Sequence, residues 1–556
     1  MGSLIKSERV LRAMTHDELV KHALGVQMEL KRQLQRPKLH SNVSLHELIE
    51  EQHSTKAGDR AARAARNMPL SRFIVLRVVY IGWEHAGFAR NQHEQRARND
   101  KSVEYFLLRA LIRSGLIDSH LTCDWTRAGR TDAGVSAAGQ IVACRVRCPP
   151  SGSADYVSMI NAQLPDSVRV LYWSPVVGDE PVPFEQAMQQ VLRIQELKLQ
   201  RRKQQNQDED ANDQDEDAND LDDDDNELDL SLDGKTDSET KEGSTVARYS
   251  LLPFDARFHA EWRSYKYFFA REKLDVDAMR EAAAHFVGRH DFRNFCKMDV
   301  ANVKTFERVI YDFEVRPVAQ GDRRGPDHER PGSALNEGTA GLACMVGKDE
   351  LWEFYIRGQA FLRNQVRCMA AVLFMVGAGK EEPSIVARML DVHSPNSVFK
   401  DGKPEYRMAG AIPLVLNECG YPESRVSASA RECSAKSHRH LVWHFAQQEA
   451  DLAARLAVLV ELTSTLSQTR PESVPQDEAP GGVQQEPLKL LDQNNTKVHI
   501  ALEKRPRLAT YEAQLELHAM KRARRDARRE REQMLQLADA QPGSDRALSE
   551  SEPTNH

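Results

Sequence analysis

One carboxylate sits where chemistry is possible, in the run Gly129, Arg130, Thr131, Asp132, Ala133, Gly134. Glycines at both ends mark a sharp turn. An Asp in a turn commonly satisfies the turn's own backbone, and that role would leave Asp132 without chemistry. The alternatives need other spacings. The run lacks the GxxxxGK[ST] order and the Lys that would cradle a phosphate. The 19 His are scattered and HExxH is absent. Ser136 lies outside any GxSxG elbow, and no Gly-rich dinucleotide fingerprint follows a strand. Carboxylate chemistry without cofactor or metal is what remains for this turn.

Elements must hold such a turn. Arg72 to Trp83, rich in β-branched and aromatic residues, predicts a strand. Ser102 to Ile117 opens on Ser and repeats its apolar residues at helical spacing. After the turn, the stretch from Gly139 to Cys148 alternates. Val142, Cys144, Val146 and Cys148 form one face; Ile141, Ala143, Arg145 and Arg147 form the other. One face is expected to pack and the other to offer two Arg. Further on, Leu251 to Phe269 restores order. A helix is expected near Asp275 to Val287, a strand near Phe306 to Val315, and a polar loop near 319 to 340. The strand from Leu351 to Phe361 then leads into a helix that is apolar on most sides and ends at Gly377 or Gly379. This mixture predicts an α+β core over roughly 70 to 425, with antiparallel sheet and packed helices.

The chain has 556 residues and a net charge of −7. Residues Asp208 to Asp229 hold 14 acidic residues and no Lys or Arg; without them the charge becomes +7. A cationic remainder suits a nucleic-acid binder. Low complexity and near-absence of aromatics make residues 190 to 248 an expected disordered insertion. Residues 17 to 36 predict an amphipathic helix, and Arg60, Arg63 and Arg66 a basic stripe. Past 424 the chain is polar and helical, with the basic clusters KRPRL and KRARRDARRERE. These are expected to act as nuclear localisation signals, as extra RNA contacts, or as plain helix surface. Eight Cys include no CxxC pair. Cys144 and Cys148, four strand residues apart, would lie ~13 Å from each other, too far for a disulfide or a shared metal. Reduced, buried thiols inside a cell are expected. No apolar run approaches the ~20 residues that span a bilayer, and the first residues lack a signal-peptide core.

Three motifs in order carry a resemblance. GRTDAGVSAAGQ resembles the motif around the catalytic Asp of the TruA family of tRNA pseudouridine synthases. FDARFHAEWRSYKYFF resembles that family's F-x-A-R…R-x-Y-x-Y-x-F segment, and FLRNQVRCMAAVLFMVGAGK its FLxxxVR helix. Together they extend over most of residues 71 to 421. HDFRNFCKMDVANVKTFERVIYDFEV and YRMAGAIPLVLNECGY look most like the eukaryotic branch acting on tRNA uridines 38 and 39. The acidic insertion is foreign to the family core. The family's common His-rich form of the FLxxxVR stretch is here FLRNQVR.

The resemblance implies two α/β subdomains of antiparallel mixed sheet flanking a basic RNA-binding cleft. It implies a 1–70 polar helical extension, a 71–190 catalytic-Asp subdomain, a 191–248 acidic insertion, a 249–423 second subdomain and a 424–556 basic tail. Asp132 would be the nucleophile or base acting on the target uridine. Arg367 would be its ion-pair partner, keeping the carboxylate charged. Tyr265 would stack on the uracil, a contact worth ~1–3 kcal/mol; Tyr267 could equally be core. Arg130 would help extrude the target or hold its phosphate. Leu362 and Val366 would line the pocket. Arg77, Arg145, Arg147 and Lys297 are candidate RNA contacts. The implied partner is tRNA at its anticodon arm, with other RNA as a further substrate class. No cofactor, metal or membrane is expected, and the location is nuclear, cytoplasmic or both. Three alternatives stay open: a paralogue for other tRNA or mRNA uridines, a catalytically silent tRNA-binding chaperone, and a scaffold organised by the acidic and basic tails.

Overall fold

The computed structural model describes residues 67–90, 100–121, 123–191, 253–300, 303, 305–318, 351–426, 430–468, 499–521, 524 and 528. The expected N-terminal helix, the 60–66 basic stripe, the acidic insertion and the 319–340 loop all lie outside the described residues.

The first half begins with β1 (Leu70–Tyr80). Helix α1 (Val103–Arg113) follows, and its start is encoded locally. Ser102 accepts from the Tyr105 amide as the N-cap, and Glu104 lies in the first turn. Next come β2 (Thr126–Arg127), β3 (Ser136–Cys148), α2 (Tyr156–Asn161), β4 (Val168–Pro175) and β5 (Val182–Pro183). The second half holds β6 (Trp262–Ala270), α3 (Val276–Ala284), β7 (Gly288–Asp291), β8 (Glu307–Pro317), β9 (Leu351–Gly358), α4 (Gln365–Gly377), α5 (Ile385–Leu390) and β10 (Leu414–Gly420).

All ten strands form one sheet, whose main path runs β4-β1-β3-β10-β6-β9-β8-β7. Two hydrophobic cores lie along it. One gathers around β1, α1 and β3; the other surrounds α4, with Met369, Ala370, Val372 and Leu373 fully enclosed. The fold is thus α+β, as expected, with one departure from antiparallel pairing. At the seam β10 runs parallel to β3, pairing Val415 with Ser136 and Leu416 with Ala137. The chain returns from the second half to complete the first. The backbones close so tightly there that a Cβ on Gly139 would sit 2.3 Å from the Asn417 carbonyl oxygen. Only glycine fits that approach.

The alternation in β3 does not produce an open face. From Gly139 onward every residue of β3 is buried, Arg145 and Arg147 included. Both faces of the strand are covered, which two-residue periodicity alone does not reveal.

The stretch after 424 packs on both halves. Helix α6 (Ala435–Gln468) lies against β4. Residues 499–511 form a strap on the second half. Its Leu502 is completely buried in that core, worth ~1.5–3 kcal/mol relative to exposure. The basic cluster KRPRL belongs to this strap. Arg507 covers the Phe399 ring at 4.6 Å and bridges Pro404.

Candidate active site

The Asp132 turn is held from below. Tyr80 and Thr131 share a 2.7 Å hydroxyl hydrogen bond. The Thr131 carbonyl accepts from the Phe88 amide, and the Gly134 amide donates to the His85 carbonyl. Gly134 takes φ +85°, a conformation that favours glycine. The backbone closes the turn itself, with the Val135 amide donating to the Asp132 carbonyl at 3.1 Å. The Asp132 side chain is therefore not used to form its turn.

That side chain instead points across the seam to the start of α4. Oδ2 accepts from the Asn364 side-chain amide and from Arg367 Nη1, the latter at 3.3 Å. Arg367 is itself clamped: its Nε donates to the Ala409 carbonyl at 2.8 Å. The Arg367 side chain is 16% exposed and stands beside a carboxylate whose side chain is 31% exposed. The pair is thus charge-assisted yet open to a substrate.

Tyr265, on β6, completes one wall. Its ring meets Phe361 edge-on at 5.0 Å and 81°. Burial raises the Tyr265 phenol, and the nearby Cys419 and Asp132 add to that while Arg263 opposes it. The neutral ring offers a flat surface beside the carboxylate. Tyr267 turns into the second core, where burial pushes its phenol up to about 12.

These groups line one cleft of about 890 Å³. Seven Arg and five Asp or Glu line it, a cationic balance. Arg130 and Arg363 are exposed at its surface, while Leu362 and Val366 are buried in its lining. Arg263 is structural. It reaches the carbonyls of Ala128 at 3.0 Å and Gln359 at 3.0 Å, tying the Asp132 side to the β9–α4 loop.

The structure therefore brings Asp132, Arg130, Tyr265 and Arg367 to one cleft. The outlying RNA contacts fare differently. Arg145 faces Asp124 at 3.6 Å and Asp179 at 4.0 Å; Arg147 donates to Asp118 at 2.7 Å. Both are buried, because both faces of β3 are covered. Arg77 is occupied with Glu418 at 3.4 Å. Lys297 is exposed, and its amide donates to the Arg363 carbonyl at the cleft's edge.

The residue that the sequence reading missed is Asn364. It has φ +59° and ψ 12° and caps α4 without a capping side-chain bond, since its amide is turned to Asp132. The available signal was an Asn immediately before a long helix, a residue type tolerant of left-handed backbone.

A carboxylate held by an arginine and an amide, beneath an aromatic wall in an arginine-lined cleft at a sheet seam, defines a class. Residues 282–422, which include Asn364 and Arg367, match the sequence profile of a family described as tRNA pseudouridine synthase. These residues form a domain of the TruA type of pseudouridine synthase. Among its relatives is the mouse tRNA pseudouridine(38/39) synthase, 30% identical over 64% of this chain and 56% of that protein. The human protein of the same name is 29% identical over 71% of this chain and 64% of its own length. A tRNA pseudouridine synthase A from Methanothrix thermoacetophila is 25% identical over 64% of this chain and 89% of its own. The chain thus matches less than two thirds of the length of these mammalian relatives.

Proposed function

We propose that this chain isomerises uridine to pseudouridine in tRNA, at positions 38 and 39 of the anticodon arm. The observation that carries the proposal is the Asp132 carboxylate. It is free of its own turn, held by Arg367 and Asn364, and set in a cationic cleft beside Tyr265. The 38/39 assignment rests on the names of the mammalian relatives.

The target base must leave its stack to reach Asp132, at a cost of a few kcal/mol that contacts to the RNA offset. Asp132 acts as nucleophile or base on the nucleoside. The glycosidic N1–C1′ bond breaks, the uracil turns over against Tyr265, and C5 joins C1′; loss of the C5 proton and protonation of N1 complete the isomerisation. Arg367, at 3.3 Å, holds the carboxylate in place for that step. Arg130, at the cleft surface, holds a phosphate near the extruded nucleotide.

The test uses in vitro transcribed tRNA, with pseudouridine mapped by position, on wild type and Asp132→Ala. Product at 38 or 39 with wild type alone is expected. Product elsewhere would move the substrate. No product from wild type, with tRNA bound equally by both proteins, would leave a binding protein and refute the reaction.

A further inference from the structure

The second basic cluster, KRARRDARRERE, is unused by the site described above, and the strap decides where it starts. The strap is fixed at several points. Arg388 pairs with Glu503, and Glu381 Oε1 accepts from the Leu502 amide at 2.7 Å and from His499 Nε2 at 2.9 Å. The Leu508 amide donates to the Lys403 carbonyl at 2.9 Å. The strap ends at Thr510, whose hydroxyl accepts from the Ala513 amide and starts a helix, α7, over 511–521.

Helix α7 begins beside the cleft. Tyr511 meets the Phe306 ring edge-on at 5.4 Å. Thr305, Glu307 and Arg308, the residues around Phe306, line the cleft. Tyr511, Gln514 and His518 are half-buried, so α7 rests on one face. Its acids, Glu512 and Glu516, lie in the first turns, where the helix end is positive. The cations gather further along. Lys521, Arg524 and Arg528 are helical and exposed, three and four residues apart, and therefore share a face. At 1.5 Å per residue Lys521 lies about 15 Å along the helix from Tyr511.

We propose that α7 presents Lys521, with Arg524 and Arg528 beyond it, to the phosphate backbone of the same RNA whose uridine enters the cleft. The inference rests on the function proposed above. A single flipped nucleotide fills the cleft, whereas a folded RNA is held mainly through phosphates and shape over a wider footprint. A basic face moored at the cleft wall extends that footprint. The mooring is what matters: without it, an arm of like charge would lose most of its effective concentration at the site.

The test uses the full chain and the triple variant Lys521→Gln, Arg524→Gln, Arg528→Gln, with Kd for transcribed tRNA read by fluorescence anisotropy across a salt series. Three lost phosphate contacts are expected to weaken binding about 10-fold or more at low salt. The slope of log K against log salt should fall by about 2 to 3, since each contact contributes ~0.7 to 0.9. The pair Glu503→Ala, Tyr511→Ala keeps every cation but loosens the mooring, and is expected to weaken binding as well. An unchanged Kd and slope in the triple variant would overturn the proposal. It would assign the helix to another partner, for which exposed Leu517 and Met520 offer an apolar contact. Wild type that binds tRNA with the steep slope yet makes no pseudouridine would refute the reaction and leave this binding face standing.

Discussion

Replacing Asn364 separates two reasons for its presence. Its backbone is left-handed, at φ +59°, where Asn is tolerated and Ala is strained by roughly 1–2 kcal/mol. Its side-chain amide also donates to Asp132 Oδ2. Asn364→Gly keeps the backbone at ease and removes only the amide; Asn364→Ala removes the amide and adds the strain. A hydrogen bond to a charged group is worth about 1.5–3 kcal/mol. The Asp132 side chain is 31% exposed and keeps Arg367 at 3.3 Å, so the lower end applies. That corresponds to about a 10-fold loss in kcat/KM at 1.4 kcal/mol per decade. The assay is pseudouridine formation on transcribed tRNA beside thermal melting of each protein. Both variants should lose about the same activity, and only Asn364→Ala should also melt several degrees lower. Gly at the wild-type rate would refute the positioning argument and make Asn364 a residue chosen for its backbone alone.

Asp132→Asn preserves size and loses the charge; it should abolish product while tRNA affinity stays within a few-fold, as filter binding beside the product assay would establish. Arg145→Ala should leave tRNA affinity unchanged and destabilise the fold by about 3–5 kcal/mol, because Asp124 and Asp179 lose a buried countercharge. Chemical denaturation beside anisotropy decides this, and a selective loss of RNA binding would return Arg145 to the RNA surface. Burial holds the His85 imidazole below its usual range, the Lys101 carbonyl bond opposing this. The folded state then binds fewer protons than the unfolded chain near pH 6.5, so stability rises as pH rises through that value and falls on acidification. His259 and His444 shift the same way, again through burial. His85→Gln should therefore flatten, without abolishing, the loss of melting temperature between pH 7.5 and 5.5; an unaltered pH profile would remove His85 from the account.

How much of this was legible in the sequence depends on the range of the interaction. Ser102 starts α1 because its hydroxyl meets an amide three residues away, and such local pairings are visible in a single chain. The apolar character of α4 announced a helix buried on most sides, and the structure encloses nearly all of it. The meeting of Asp132 with Arg367 spans 235 residues. Periodicity carries no such information, and only the resemblance of three ordered motifs brought the two together. The error at Arg145 and Arg147 has the same origin. Alternation in β3 correctly separates two sets of side chains. Whether the second set meets water depends on what the rest of the chain lays over that face, and here it is covered. Their partners Asp118, Asp124 and Asp179 lie outside the strand.

The strap argues the same point from the other side. Charge dominates the composition of KRPRL, which therefore reads as a localisation signal, an RNA contact or helix surface. Leu502, two residues before it, is the residue that decides its fate, by entering the second core at zero exposure. A single buried leucine outweighs neighbouring charges because Arg505 and Arg507 stay only half-buried while it is fully enclosed. Their stems lie on the surface and their heads find carbonyls of Ile500, Leu502 and Glu503. The strap thereby makes the far end of the chain part of the half that carries Arg367. It also places the start of the second basic cluster beside the cleft rather than leaving it to diffuse on a tether.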